Sequence, residues 1–280
     1  MAGMKILRTI DAYRQERAAV LGTLGLVPTM GYLHEGHLSL VQRAKAENDA
    51  CAAWIFVNPI QFNDKEDFSR YPRDEARDCA LLEQEGVDLL FTPSFDEIYP
   101  PAFGTYVNVD GVTEPLEGAF RPGHFRGVAT VVTKFFNIMA PTRAYFGQKD
   151  AQQVAVIKKM VHDLNLPVEV VVCPTVREQD GLAMSSRNVN LNSQERQAAL
   201  VLYRALCLAQ EHWAKGSRDA GAIRQAMTSL IEGEPLAKID YVSVAHPVTL
   251  QELERIEGAA LVSLAVQIGR VRLIDNVVLG

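Results

Sequence analysis

Several common signatures of function are missing from this sequence of 280 residues. Its four cysteines form no C-x-x-C pair, so the usual zinc and dithiol redox motifs are excluded, and we expect free thiols. G-x-S-x-G, the Walker lysine motif and the G-x-G-x-x-G fingerprint are also absent. These absences favour a site built from cations and hydrogen-bond donors over one built on a nucleophile activated by a base.

The sequence also lacks a basic excess and a long apolar run. It has 34 acidic and 28 basic residues and a net charge of -6, which argues against a general nucleic-acid-binding protein. No stretch approaches the ~20 apolar residues of a membrane span, and the charged N-terminal residues do not resemble a signal peptide. We therefore expect a soluble, cytoplasmic protein.

The first 175 residues alternate short apolar runs with amphipathic ones. Continuous apolar runs such as ACAAWIFV (50–57) are typical of strands buried on both faces. The predicted strands are 25–30, 50–57, 87–93, 143–147 and 168–175, and the predicted helices are 38–49, 74–86, 127–139 and 150–165. This alternation predicts an α/β fold with an open parallel sheet in a domain spanning 1–175.

The pattern changes beyond residue 176. A long amphipathic helix over 193–216 and a second over about 219–233 precede three strand-like segments joined by short turns. We therefore predict a smaller α+β C-terminal domain spanning 176–280.

Four motif-like segments follow predicted strands of the first domain. They are PTMGYLHEGH (28–37), VNPIQF (57–62), FGQKDAQQ (146–153) and VREQDGLAMSSRN (176–188). Because open α/β sheets bind ligands beyond the carboxyl ends of their strands, we expect these segments to form one site.

PTMGYLHEGH allows three interpretations: a metal site, a structural turn or a phosphate contact. Gly31 and Gly36 suit a tight turn, and His37 falls in the first turn of the next helix, where the dipole favours an anion. A metal site needs a third ligand beside His34 and His37, and the spacing is not H-E-x-x-H. We favour the phosphate contact.

The other segments supply cations, hydroxyls and amides. Lys149 is a point charge suited to phosphate, Asp150 is a natural N-cap, and Met184–Arg187 offers two hydroxyls and a guanidinium. Each could instead be an ordinary surface residue or a polar loop. Asn58, Gln61, Gln152 and Gln153 are amides that suit a small hydroxylated carboxylate. Arg121, His124 and Arg126 lie in a loop that either covers the site or only connects two elements.

Five segments together resemble the family of pantothenate synthetases (pantoate–β-alanine ligases). They are P-T-M-G-x-L-H-x-G-H, F-V-N-P-x-Q-F, R-P-G-H-F-R-G-V, F-G-Q-K-D-x-Q-Q and M-S-S-R-N, in that order over nearly the whole chain. H-x-G-H alone is shared across a nucleotidyltransferase superfamily that includes class I aminoacyl-tRNA synthetases. Arg187 stands where the second signature of those synthetases would have a lysine.

The resemblance implies a Rossmann-like N-terminal domain, a C-terminal lid, a homodimer and Mg-ATP. It implies condensation of (R)-pantoate with β-alanine through pantoyl adenylate, giving pantothenate, AMP and pyrophosphate. His34, His37 and Lys149 would be catalytic; Gln61, Gln153 and Asn58 would hold pantoate and β-alanine; Asp78 would lie near the magnesium. The ATP-binding residues would be Met30, Gly31, Tyr32, Leu33, His34, Glu35, Gly36, His37, Gly147, Gln148, Lys149, Asp150, Val176, Met184, Ser185, Ser186 and Arg187.

Three alternatives remain. A nucleotidyltransferase that joins AMP to a phosphate would leave VNPIQF and QKDAQQ unexplained. A tRNA synthetase would need a tRNA-binding extension, which this short acidic chain does not show. A non-catalytic nucleotide-binding module would require both histidines and Lys149 to be dispensable.

Overall fold

The structure is a computed structural model that describes residues 3–280. The chain forms two compact units. The first unit contains the chain up to Val109 together with Arg121–Gly147 and Val156–Pro174; the second contains Asp110–Phe120, Gln148–Ala155 and Thr175–Gly280. The predicted domains 1–175 and 176–280 stay a prediction, and the units differ from them because 110–120 and 148–155 group with the second unit.

A six-stranded parallel sheet forms the centre of the first unit. The strands are β1 (Lys5–Leu7), β2 (Leu24–Thr29), β3 (Ala50–Ile55), β4 (Leu89–Phe91), β5 (Arg143–Gly147) and β6 (Glu169–Cys173). Their order is β1-β4-β3-β2-β5-β6. Because a parallel sheet is covered on both faces, its strands are apolar throughout, and all six residues of β3 are at least partly buried. The predicted α/β fold is confirmed.

Crossover helices connect these strands. The helices up to residue 163 are α1 (Ile10–Ala19), α2 (Glu35–Glu47), α3 (Lys65–Arg70), α4 (Glu75–Gln84), α5 (Phe95–Ile98), α6 (Glu117–Phe120), α7 (His124–Met139) and α8 (Ala151–Asp163). On one face of the sheet, α2 and α4 bury Val41 and Leu82 in an apolar cluster with Val27. On the other face, Phe135 of α7 stacks on Trp54 with ring centroids 3.9 Å apart.

The order of the strands indicates which edge of the sheet is suited to bind a ligand. From β2 the chain continues to β3 and β4 on one side, whereas from β5 it continues to β6 on the other. A crevice forms outside the carboxyl ends of the strands where the order reverses in this way. Met30, Asn58 and Gly147 follow or end the adjacent strands β2, β3 and β5, so these predicted site positions share that edge.

The second unit contains a three-stranded antiparallel sheet. Its strands are β7 (Ala237–Ala245), β8 (Ala260–Ile268) and β9 (Val271–Leu279), and its helices after residue 190 are α9 (Ser193–Ala198), α10 (Leu200–Ala214) and α11 (Ala220–Glu232). Leu206 of α10 and Ile223 of α11 pack with Val262 of β8 in one buried cluster. The predicted α+β character of this region is confirmed.

The structure differs from the sequence-based elements in detail. The single helix predicted over 193–216 is wrong, because it is interrupted at Ala199 (φ -59°, ψ -22°), where one residue of tightened helical backbone separates α9 from α10. The N-terminal strand β1 and the helices α1, α3, α5 and α6 were not predicted. The other predicted strands and helices are confirmed with shifts of a few residues at their ends. No helix within residues 3–280 is both long and apolar enough to cross a membrane.

Candidate active site

The turn between β2 and α2 carries the sequence PTMGYLHEGH. Gly31 (φ 81°) and Tyr32 (φ 52°) are consecutive residues with left-handed backbone, which reverses the chain within two positions. Gly31 suits this conformation, whereas Tyr32 adopts it at a cost. Helix α2 then starts at Glu35 with His34 as its N-cap, and Gly36 and His37 lie in its first turn. The predicted place of His37 in the first turn of the helix is therefore confirmed.

The side chains of the two histidines accept hydrogen bonds from the backbone of this turn. The Nδ1 atom of His34 accepts a hydrogen bond from the Gly36 N–H (3.1 Å), and the Nδ1 atom of His37 accepts one from the His34 N–H (3.3 Å). Their rings lie with centroids 4.1 Å apart. Because each Nδ1 is an acceptor, the proton of each neutral ring is on Nε2. Both rings thus carry an Nε2–H donor at the N-terminus of α2, where the helix dipole favours an anion.

Asp78 of α4 holds the same turn. Its carboxylate accepts the backbone N–H of Tyr32 (2.6 Å, Oδ2) and of Leu33 (2.8 Å, Oδ1). Burial raises the pKa of Asp78, and these two hydrogen bonds, with the nearby Arg77, oppose the rise without cancelling it. Asp78 is only 1 % exposed, so its carboxylate is a buried support of the turn.

Two predicted amides lie next to the turn, after β3. The Gln61 Nε2 atom donates to the Met30 sulfur (3.1 Å), and its Oε1 atom accepts from Asn58 Nδ2 (3.0 Å). Asn58 Nδ2 also donates to the Gly127 carbonyl (3.1 Å), and the Tyr99 hydroxyl donates to Asn58 Oδ1 (2.9 Å). Asn58 therefore orients the Gln61 side chain, and Gln61 presents the polar surface beside Met30.

The segment from Arg121 to Gly127 reinforces this region, and its contacts were not predicted. His124 Nδ1 lies 2.8 Å from the Gln61 carbonyl, and Arg121 Nη1 lies 3.2 Å from His124 Nε2. A Cβ atom on Gly127 would lie 2.6 Å from the Ile60 carbonyl oxygen, so only glycine permits this approach of α7. Arg126 stacks on the Tyr106 ring at 3.9 Å. Gly127, the second glycine of R-P-G-H-F-R-G, is the sequence feature that could have indicated this contact. Ile60, the residue that it approaches, is however 67 residues away in sequence.

In the second unit, a short 3₁₀ helix, Gln148–Asp150, leads into α8. Lys149 is 20 % exposed in its side chain, and its Nζ atom lies 3.8 Å from Asp150 Oδ1. Gln152 is buried and binds the segment before α6: its side chain accepts the Glu117 N–H and donates to the Val112 and Pro115 carbonyls. Gln153, the next residue, is partly exposed. The two glutamines thus differ, and Gln152 has a structural role.

The loop after β6 folds back on itself within the second unit. The Met184 N–H donates to the Val176 carbonyl (3.0 Å), which aligns the two predicted ATP-binding stretches. Gly181 (φ 96°) closes the turn, where a Cβ atom would lie 2.0 Å from Tyr203. The Ser185 hydroxyl then accepts the Arg187 N–H (3.2 Å) and caps a 3₁₀ helix, Ser186–Asn190. Asn192 caps α9, where its side chain accepts the N–H groups of Gln194 and Glu195.

Within each unit the structure therefore brings the predicted residues together. In the first unit, Met30–His37, Asn58, Gln61 and Asp78 form one connected cluster. In the second unit, Gln148–Asp150 and the 3₁₀ helix at Ser186–Asn190 both lie against β9. Among residues 3–280 no group of three His, Cys, Asp or Glu side chains is placed to hold a metal ion.

Known proteins resemble this chain over its whole length. A family model described as pantoate-beta-alanine ligase matches residues 5–278. The pantothenate synthetase of Roseiflexus sp. (strain RS-1) is 63% identical over 276 residues, which is 99% of this chain and 99% of that protein.

Solved structures give the same result. The pantothenate synthetase of Thermus thermophilus is 48% identical, with a TM-score of 0.94 over 98% of this chain and 99% of that chain. The pantoate-beta-alanine ligase of Francisella tularensis, solved in complex with beta-gamma ATP and beta-alanine, is 36% identical, with a TM-score of 0.81 over 98% of this chain and 97% of that chain.

Proposed function

Since the chain belongs to the family of pantoate–β-alanine ligases and catalyses their reaction, we propose how its residues carry out the two steps. In the first step, a pantoate carboxylate oxygen attacks the α-phosphorus of ATP, and the bond to pyrophosphate breaks. In the second step, the neutral amine of β-alanine attacks the acyl carbon of pantoyl adenylate, the bond to AMP breaks, the nitrogen gives up a proton, and pantothenate forms. Because pantoate is already an anion, the first step needs no general base.

The observation that carries this assignment is the pair of histidines at the start of α2. Each accepts a backbone N–H at Nδ1, so the ring proton of His34 and that of His37 lie on Nε2, at a helix N-terminus. Charge that develops on the leaving pyrophosphate is stabilised by such fixed donors. We assign His34 and His37, together with Lys149, to that role.

The proposed ATP-binding residues are those that the family resemblance implies. ATP lies along Met30–His37, Gly147–Asp150, Val176 and Met184–Arg187. Arg187 offers a planar guanidinium and Lys149 a point charge, and both suit phosphate oxygens. The ATP ligand of the Francisella tularensis relative supports the use of ATP.

The amide side chains are assigned to pantoate and β-alanine in this proposal. Gln61 and Gln153 hold pantoate, and Gln61 also borders β-alanine, with Asn58 orienting Gln61 through the 3.0 Å bond between their side chains. Hydroxyl and carboxylate groups need both donors and acceptors, and a primary amide supplies both.

Magnesium enters this proposal as Mg-ATP. The phosphates would supply most of its coordination, since Mg²⁺ prefers phosphate and water oxygens over a dedicated protein cage. Asp78, which supports the turn through its bonds to Tyr32 and Leu33, would lie near it. The proposal also includes a cytoplasmic location, expected from the composition, and a homodimer, which the family resemblance implies.

One assay tests the proposed route. Isotope exchange between pyrophosphate and ATP is measured without β-alanine, in the presence and in the absence of pantoate. We expect exchange only with pantoate, because pyrophosphate is released before β-alanine reacts. Exchange without pantoate would favour a simple nucleotidyltransferase, and no exchange with pantoate would contradict the adenylate route.

A further inference from the structure

Two adjacent buried polar residues interrupt the apolar pattern of β9. Successive side chains of a strand point to opposite faces of the sheet, and Val271, Leu273 and Leu279 lie on the face that packs in the core of the second unit. Asp275 and Asn276 are nevertheless only 2 % and 3 % exposed. Because buried polar groups are almost always hydrogen-bonded, the partners of these two side chains show what they hold in place.

Asn276 binds the segment that carries Lys149. Its Nδ2 atom donates to the Gln148 carbonyl (2.9 Å) and the Lys149 carbonyl (2.8 Å), while its Oδ1 atom accepts from Gln148 Nε2 (3.0 Å). Both N–H donors of the amide are thus used on two successive peptide groups. These two bonds fix the orientation of the backbone from which the Lys149 side chain starts.

Asp275 makes the middle of β9 a fixed support for Asn276. The Asp275 carboxylate accepts two hydrogen bonds from Arg177, at 2.6 and 3.0 Å, and its Oδ1 atom also accepts the Asn276 N–H (2.8 Å). A buried carboxylate is tolerated only when it is paired in this way. Arg177 in turn donates to the Gly181 carbonyl (3.1 Å), which ties the loop after Val176 to the same strand.

We propose that Asn276 is a positioning residue of the first half-reaction, which acts through the backbone of Gln148 and Lys149 to place the Lys149 ammonium on ATP. The inference rests on the proposed role of Lys149. It explains why two adjacent polar side chains are buried at this point of β9, since an apolar residue at 276 would leave both carbonyls without these donors. Small misplacements of a charge-stabilising group are costly, so loosening this backbone lowers the rate.

The test compares Asn276→Ala with Lys149→Ala and with the double variant. We expect Asn276→Ala to lower pantoate-dependent pyrophosphate–ATP exchange by ~10-fold, with a raised KM for ATP and an unchanged KM for β-alanine. In the Lys149→Ala background the same substitution should cost less than ~2-fold, because residues that act through one another are not additive. A purely structural residue would give the full loss in both backgrounds.

Controls separate this inference from the proposed function. Asn137→Ala removes a side-chain amide that donates to a backbone carbonyl on α7 of the first unit, and it should leave exchange unchanged. If Asn276→Ala does not fold, Asn276→Asp keeps the shape and the acceptor for Gln148 while removing both donors, and it should show the same loss. Normal exchange with a normal KM for ATP in either folded variant, while Lys149→Ala is impaired, would overturn the inference alone. Normal exchange in Lys149→Ala would overturn the proposed role of Lys149, and the inference with it.

Discussion

The two units hold their parts of the candidate site in different ways. In the first unit, the histidine turn is stabilised by its own backbone and by Asp78 of a helix that packs on the same face of the sheet. In the second unit, segments 110–120 and 148–155 are separated by many residues from β7 and β9, yet buried polar side chains bind them to those strands. The turn depends on its own backbone and on one helix of its unit, whereas the second unit binds distant segments through specific cross-links.

The ionic cross-link among these centres on Arg272. Its guanidinium binds both Glu117 oxygens (2.7 and 2.8 Å) and Asp240 Oδ2 (2.6 Å), and the Tyr241 hydroxyl donates to Glu117 Oε1 (3.1 Å). Burial alone would lower the pKa of Arg272. The Glu117 and Asp240 carboxylates raise this pKa by more than burial lowers it, so it lies above its ordinary value. Breaking such a network leaves a buried carboxylate without its counter-charge.

Arg272→Ala should therefore have the largest effect on folding. We expect the free energy of unfolding to fall by roughly 3 kcal/mol, at the low end for a buried pair because the Arg272 side chain is 28% exposed. Urea unfolding followed by circular dichroism measures the change. Arg270→Ala, an exposed arginine in the turn before β9, is the control and should change stability little. Equal effects of the two substitutions would mean that the second unit does not depend on this cross-link.

The catalytic contributions of the two units should be similar. His37→Ala in the first unit and Lys149→Ala in the second should each lower turnover by ~10²-fold or more, or about 2.7 kcal/mol, the scale of a lost charge-stabilising donor. Steady-state assays of pantothenate formation measure this loss. His162→Ala and Lys158→Ala, two exposed positions on α8, serve as controls. Near-normal kinetics in both His37→Ala and Lys149→Ala would remove the basis of the catalytic assignment.

The comparison also explains which features could be predicted from sequence. Strand and helix alternation, the turn after β2 and the amides after β3 depend on local periodicity and on neighbouring strands, and the sequence shows both. The H-x-G-H spacing predicted a helix start that favours an anion, and the structure places His34 at the cap and His37 in the first turn.

Long-range polar contacts could not be predicted in the same way. Nothing near Asn276 in the sequence indicates that it binds Gln148 and Lys149, 128 and 127 residues away. The contacts of Asp78 could not be predicted either, because Asp78 comes close to Tyr32 and Leu33 only when α4 packs on the sheet. Side-chain to backbone bonds between distant segments have no periodicity, so a single sequence carries no signal for them.

The smallest predicted effect concerns the support of the histidine turn. Asp78→Asn replaces one acceptor oxygen by an NH₂ group, which faces the N–H of Tyr32 or Leu33 and cannot accept it. We expect a loss of about 1–2 kcal/mol in the free energy of unfolding and a raised KM for ATP, because one buried donor loses its partner and the turn is less well fixed. Asp74→Asn is the matched control: Asp74 caps the same helix from an exposed position, and asparagine caps equally well. A loss in Asp78→Asn as large as that in Arg272→Ala would show that the first unit depends on its polar support as strongly as the second depends on its cross-link.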